Sequence, residues 1–213
     1  APETRLRFMV RVWGFTLPKT SRLRSSYGLN MGMVYSKYDL AAGPGQPAGW
    51  ISGAWTGADM RGIPNYFGSM EYELAFDREV KHGGARSCRV HVTSVTPGEY
   101  ETPRFCYYTP AMTLEPNTEH EFSVWYRTAP GDEHGPSVFF HPSGGMVLPP
   151  TGGEWREGRC SFNSGDGKGV RVYLKVDQVG TVWFDDVRLA PAGARPDVNL
   201  LPNPGFELGE EGG

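Results

Sequence analysis

At 213 residues the chain is long enough for one large domain or two small ones, and its 29 glycines, 18 prolines and 13% aromatic residues favour short strands parted by turns over helices. Its 21 basic and 24 acidic residues leave a net charge of −3, so it lacks the basic footprint of a nucleic-acid binder. No apolar run reaches the ~20 residues of a membrane span. Ala1-Pro2-Glu3-Thr4-Arg5 does not have the basic-then-apolar order of a secretion signal, so a secreted protein would carry that signal outside this stretch.

Residues 5–17 alternate, with Leu6, Phe8, Val10 and Val12 on one face and Arg5, Arg7, Met9, Arg11 and Trp13 on the other. The pattern predicts one half-buried strand, ended by Pro18. A lone strand is no domain, so it is expected to join a neighbouring sheet or another chain. Residues 51–69 are rich in glycine, carry Trp55, Tyr66 and Phe67, and alternate poorly, which predicts a long loop or an edge. Strands follow at 70–76, 87–92, 104–108, 120–127, 137–141, 155–162, 169–176 and 180–189. About eight antiparallel strands in one module fit a jelly-roll β-sandwich. The fold class is therefore all-β, an antiparallel jelly-roll sandwich with an extra N-terminal strand.

The closing strand, Gly180-Thr181-Val182-Trp183-Phe184-Asp185-Asp186-Val187-Arg188-Leu189, sets two carboxylates among core residues. A buried charge needs a partner or a metal. Further on, Asn199-Leu200-Leu201-Pro202-Asn203-Pro204-Gly205-Phe206-Glu207-Leu208 reads as an opening phrase. Phe206-Glu207-Leu208 lies over Tyr38-Asp39-Leu40 without a gap, as a repeat would. The expected organisation is an N-terminal strand and linker at 1–30, one module at 31–191, and at 192–213 a linker and the start of a following module.

Val10-Arg11-Val12-Trp13-Gly14-Phe15-Thr16-Leu17-Pro18-Lys19-Thr20 resembles the junction between a small β-sandwich and a catalytic barrel in glycoside hydrolase-like bacterial proteins. No β/α alternation for a barrel follows. Pro47-Ala48-Gly49-Trp50, residues 77–87, Phe122-Ser123-Val124-Trp125-Tyr126-Arg127 and Val182–Leu189, in that order, resemble the galactose-binding-like β-sandwich carbohydrate-binding modules of secreted multimodular enzymes. The resemblance implies a secreted, extracellular, non-catalytic module that binds a glycan, with one structural calcium where the first and last strands meet. Carried over by position, the calcium would take Asp39, Asp186 and carbonyls of the turn at Lys81 and Gly83. Calcium wants six to eight oxygens, and neighbours on a strand face opposite ways, so one aspartate of the pair suffices.

Sugar recognition needs aromatic faces with polar handles. If the outward faces of 120–127 and 169–176 share one sheet, Trp125, Arg127 and Tyr173 would form a platform, with Trp55, Tyr66 and Phe67 as a loop rim. Asp185 and Asp186 are adjacent and cannot straddle a glycosidic bond. The five histidines and three cysteines show no metal or catalytic spacing, and Cys88, Cys106 and Cys160 read as small buried hydrophobes. The leading expectation is glycan binding. The rival is a structural or adhesive module that assembles, as a homo-oligomer or otherwise, through strand 5–17.

Overall fold

The structure is a computed structural model that describes residues 11–12, 15–16, 45–58, 63–142 and 144–210. Among these residues the strands run β1 (Arg11–Val12), β2 (Phe15–Thr16), β3 (Gln46–Pro47), β4 (Ile51–Trp55), β5 (Gly68–Asp77), β6 (Ser87–Pro97), β7 (Arg104–Tyr108), β8 (Glu119–Thr128), β9 (Ser137–His141), β10 (Gly145–Val147), β11 (Arg156–Asn163), β12 (Arg171–Val176), β13 (Gly180–Pro191) and β14 (Gly209–Glu210). Ten of them make two five-stranded sheets, in the orders β10-β9-β12-β7-β4 and β11-β8-β13-β6-β5, with every pairing antiparallel. The fold is a jelly-roll β-sandwich. No helix occurs among the described residues.

The alternation read from the sequence becomes the sandwich core. Phe122, Val124 and Tyr126 of β8, Cys88, Val90 and Val92 of β6, and Val182 and Phe184 of β13 point inward from one sheet. Phe105 and Tyr107 of β7, Val138 and Phe140 of β9, and Val172 and Leu174 of β12 meet them from the other. Side chains of two facing sheets interdigitate across roughly 10 Å, which is what a strict period of two delivers. Most of the expected strands appear with small shifts at their ends, and 104–108 and 137–141 keep their predicted bounds.

Three expectations are narrowed or changed. Residues 51–55, grouped with a loop or an edge, form β4 at the edge of the first sheet. Within 5–17, Arg11–Val12 pairs antiparallel with Phe15–Thr16, so the described part is not one straight strand. Its first six residues lie outside the described ones.

The third change is at the C-terminal end. The phrase at 199–207, expected to open a following module, packs into this one. Phe206 is 0% exposed and Leu201 is buried. Phe206 sits 5.3 Å from the Trp50 ring, centroid to centroid. Trp50 Nε1 donates to the Pro202 carbonyl at 2.9 Å, and β14 pairs with β3. Buried Arg86 lies over the Phe76 ring at 3.7 Å and donates to the carbonyls of Phe206 (3.1 Å) and Glu207 (2.9 Å). A buried guanidinium with five donors needs such acceptors, and these come from the C-terminal segment. The sandwich therefore runs past residue 191 and includes the segment up to residue 210.

Candidate functional site

The outer face of the first sheet carries a groove, and the strand register explains it. Phe139 on β9, Tyr173 on β12, Tyr108 on β7 and Ile51 on β4 are successive cross-strand partners. Directly opposed side chains on one face touch: the rings of Phe139 and Tyr173 lie 5.8 Å apart, and those of Tyr173 and Tyr108 5.2 Å apart and stacked. The next row, two residues along each strand, is Ser137, Lys175, Cys106 and Gly53. Except for Lys175 its members are small, so the surface drops between the aromatic row and the pair beyond it, Trp55 and Arg104. The Arg104 guanidinium lies 4.8 Å over the Trp55 ring and 5.3 Å over that of Phe67.

The resulting cavity measures about 740 Å³ and is lined by Trp55, Arg104, Cys106, Phe139, Tyr173, Lys175, Ser137, His141 and the β10 strand with Met146 and Val147. It is a wide, largely apolar cleft crossing the strands, of ligand-pocket size. Lys175 pairs with Asp177 at 2.8 Å and Arg104 with Glu101 at 2.7 Å. Both acids hold their cations in place from outside the lining.

A second polar arrangement lies where β13 passes the turn between β5 and β6. Asp185 is fully buried. Its carboxylate accepts the backbone N–H groups of His82 (2.9 Å), Gly83 (3.1 Å) and Asp186 (2.8 Å). Burial pushes its pKa up to about 6, against the pull of these three hydrogen bonds. Asp186 follows at φ +43, within an interruption of the β13–β8 register between Asp185 and Arg188. This turns its carboxylate outward, where it meets His82 Nδ1 at 2.7 Å. His82 in turn stacks on Trp125 at 3.8 Å.

Glu207 arrives from the C-terminal segment and accepts the Ala85 N–H at 2.9 Å. Asp186 Oδ1 and Glu207 Oε1 both fall within 3.9 Å of one point, the place a Cβ on Gly205 would take. A Cβ on Gly83 would meet Asp186 Oδ2 at 2.5 Å, so the turn needs glycine there for the carboxylate to approach. Two carboxylates thus lie over neighbouring glycines of one turn, Asp186 at Gly83 and Glu207 at Gly84. No group of three Asp, Glu, His or Cys side chains suited to a metal forms among the described residues.

No protein-family model matches the chain, and no curated protein matches it. Among solved structures it is similar to the family 30 carbohydrate-binding module of the cellulosomal cellulase CEL9D-CEL44B of Clostridium thermocellum, at 12% identity over 71% of this chain and 96% of that one, TM-score 0.47. It is similar to a CBM4 module at 12% identity over 66% of this chain and 86% of that one, TM-score 0.44. It is also similar to the enzymatically active domain of tailspike protein 4 of bacteriophage CBA120, at 12% identity over 68% of this chain but 19% of that one, TM-score 0.47. At such identities the likeness is one of overall shape, and no ligand passes from these proteins to this chain.

The residues singled out in the sequence are distributed unevenly. Trp55 and Tyr173 line the groove. Phe67 is buried behind Trp55, edge-on at 6.1 Å, and Tyr66 packs on Phe67 at 4.9 Å, so these two support the wall and do not form a rim. Trp125 and Arg127 lie on β8 in the opposite sheet, so the platform of Trp125, Arg127 and Tyr173 does not exist. Arg127 instead sits 5.7 Å over Trp183 on that second face. Asp39 lies outside the described residues, and the second carboxylate at this turn is Glu207. Lys81 and Gly83 lie in the turn between β5 and β6 that meets Asp185 and Asp186.

Sequence reasoning passed over Phe139, Arg104 and Glu207. Phe139 was legible: in Ser137-Val138-Phe139-Phe140-His141 the inward pair Val138 and Phe140 leaves Phe139 outside, and it is 45% exposed.

Proposed function

We propose that the chain is a non-catalytic glycan-binding module that holds a polysaccharide in the groove on the first sheet. The observation that carries this reading is exposed Phe139, backed by Tyr173, beside a floor of small side chains, with Trp55 as the facing wall. An aromatic face stacks on the C–H side of a pyranose, and the groove's Ser137, Tyr173, Arg104 and Lys175 offer hydrogen bonds around its edge. A cleft that crosses the strands and stays open along its length suits a chain better than a single small molecule. Affinity electrophoresis against a panel of polysaccharides tests it: retention by at least one, abolished by Phe139→Ala, is expected, and no retention by any polysaccharide overturns it. The module belongs, in this reading, to a secreted protein.

We further propose a structural calcium at these carboxylates, held by Asp186 and Glu207 with backbone carbonyls of the turn at Lys81 and Gly83. Hard oxygen donors of this kind are what calcium takes. A cation there would neutralise the repulsion of the two carboxylates and tie the C-terminal segment to β13. Thermal unfolding with added calcium and after chelation tests it. A midpoint that falls on chelation is expected, and no change in wild type, matched by no change in Glu207→Gln, refutes it.

A further inference from the structure

We infer that the glycan taken by this groove is anionic, carrying carboxylate or sulfate groups; the inference rests on the groove being the glycan site. Its ground is a mismatch between hydrogen-bond donors and acceptors along the lining. Among the described lining residues there is no Asp, Glu, Asn or Gln. The strong polar groups are Arg104 and Lys175, both pure donors, joined by His141, Ser137 and the Tyr173 hydroxyl.

A neutral pyranose presents hydroxyls that each bring a proton to donate. In an apolar cleft those protons need acceptors, and a hydroxyl buried without one is costly. Side-chain carboxylates and amides are the usual acceptors for such protons, and this lining has none. A carboxylate or sulfate has the opposite character: it only accepts, and it takes several donors at once.

The cations are placed for that task. Lys175 stands in the floor row between Ser137 and Cys106, the one long side chain in a row of small ones. Asp177 takes one of its N–H groups from outside the lining, which leaves two of the ammonium's three donors for a ligand. Arg104 is held over Trp55 by ring contact and by Glu101. Both cations therefore stand in fixed positions on one side of the aromatic row. A sugar stacked on Phe139 and Tyr173 would carry its anionic substituent toward them.

The test is affinity electrophoresis of the whole chain in gels of polygalacturonate, dextran sulfate and neutral arabinoxylan. Retention by an acidic polymer about tenfold or more tighter than by arabinoxylan is expected. Polygalacturonate retention assigns the carboxylate, and retention by dextran sulfate alone assigns the sulfate. Lys175→Met should cut acidic retention about tenfold, and Lys175→Arg should restore most of it. Salt above about 0.5 M should weaken acidic retention in the unmodified chain, a readout that needs no variant to fold.

Arabinoxylan retained as tightly as the acidic polymers would overturn the inference while leaving the groove as a glycan site. Acidic retention that survives Lys175→Met but is lost in Phe139→Ala would also overturn it, since the cation would then have no part. No retention by any polymer overturns both readings at once.

Discussion

Phe206→Ala is the sharpest test of how this sandwich is closed. The Phe206 side chain is completely buried, 5.3 Å from Trp50 and 6.5 Å from Tyr107 by ring centroids, and its carbonyl accepts from buried Arg86. A fully buried phenylalanine cut to alanine costs ~3–5 kcal/mol through lost transfer energy and the cavity left behind. Phe206 also sits at φ +56, a conformation no easier for alanine, so the backbone gives no relief. Against a total stability of roughly 5–15 kcal/mol for a domain, the midpoint of thermal unfolding should fall by roughly 10–15 °C. Urea unfolding followed by tryptophan fluorescence suits the assay, because Trp50 reports on the same contact. If residues 199–210 were the outset of a separate module merely resting here, the loss would stay below ~1 kcal/mol, and the single-sandwich account would fail.

Asp185→Ala should cost about 3 kcal/mol in urea unfolding, because it strands the amides of His82, Gly83 and Asp186 without an acceptor; a loss under ~1 kcal/mol would mean that water satisfies them. Asp77 predicts a pH dependence. Burial opposes its charge, but hydrogen bonds from the Val80 N–H, Trp183 Nε1 and the Glu79 N–H, with Arg89 nearby, outweigh it and hold its pKa below the ordinary 3.8. A lowered carboxylate stabilises the fold above its unfolded value and loses that contribution as pH falls through the folded one. Wild type should thus exceed Asp77→Asn in stability at pH 5, and the gap should close as pH falls below 3.8; a constant gap refutes the linkage. Phe139→Ala should abolish polysaccharide retention with little change in the unfolding midpoint, whereas Trp125→Ala, on the opposite sheet, should retain polysaccharide fully; the reverse would move the site to the other face.

Much of the fold is legible in the chain because eight strands obey a period of two, and burial of one face sets their register. Two strands that the alternation does not mark, β4 and β10, are ones whose residues serve the groove. In Ile51-Ser52-Gly53-Ala54-Trp55, Gly53 stands opposite Cys106 in the groove floor. A small residue is needed there, and it erases the alternation that would mark β4. In β10 the glycine opposite Phe139 does the same. The platform of Trp125, Arg127 and Tyr173 failed for another reason. Periodicity tells which residues share a face of one strand. It does not tell which sheet the strand joins, and β8 settles between β11 and β13 while β12 settles between β9 and β7. The alignment of Glu207 with Asp39 meets a different arrangement in the structure. Glu207 reaches the β5–β6 turn at Ala85, but the pairing of β3 with β14 that brings its segment there is non-local, and a local pattern reads it as a second copy.

The groove's aromatic row is graded, and on the proposed reading the grading sets where along it a ligand would be met. Tyr108 is 3% exposed, Tyr173 7% and Phe139 45%, although all three share one face and one register row. Toward β4 the row is a small satellite core: Cys106, Tyr108 and Tyr173 cluster there with Ile51 and Trp55. Toward β10 the cross-strand partner of Phe139 is Gly145, which has no side chain to cover the ring. A larger residue at 145 would shield the ring, and its Cβ would press on the Val138 carbonyl at 2.4 Å, at a φ of +159. The glycine thus leaves one aromatic face open while its stacked neighbours hold that face rigid. A rigid, exposed ring backed by buried ones loses little entropy on stacking, so Phe139 is where a pyranose would first bind, with Tyr173 and Lys175 one strand further in.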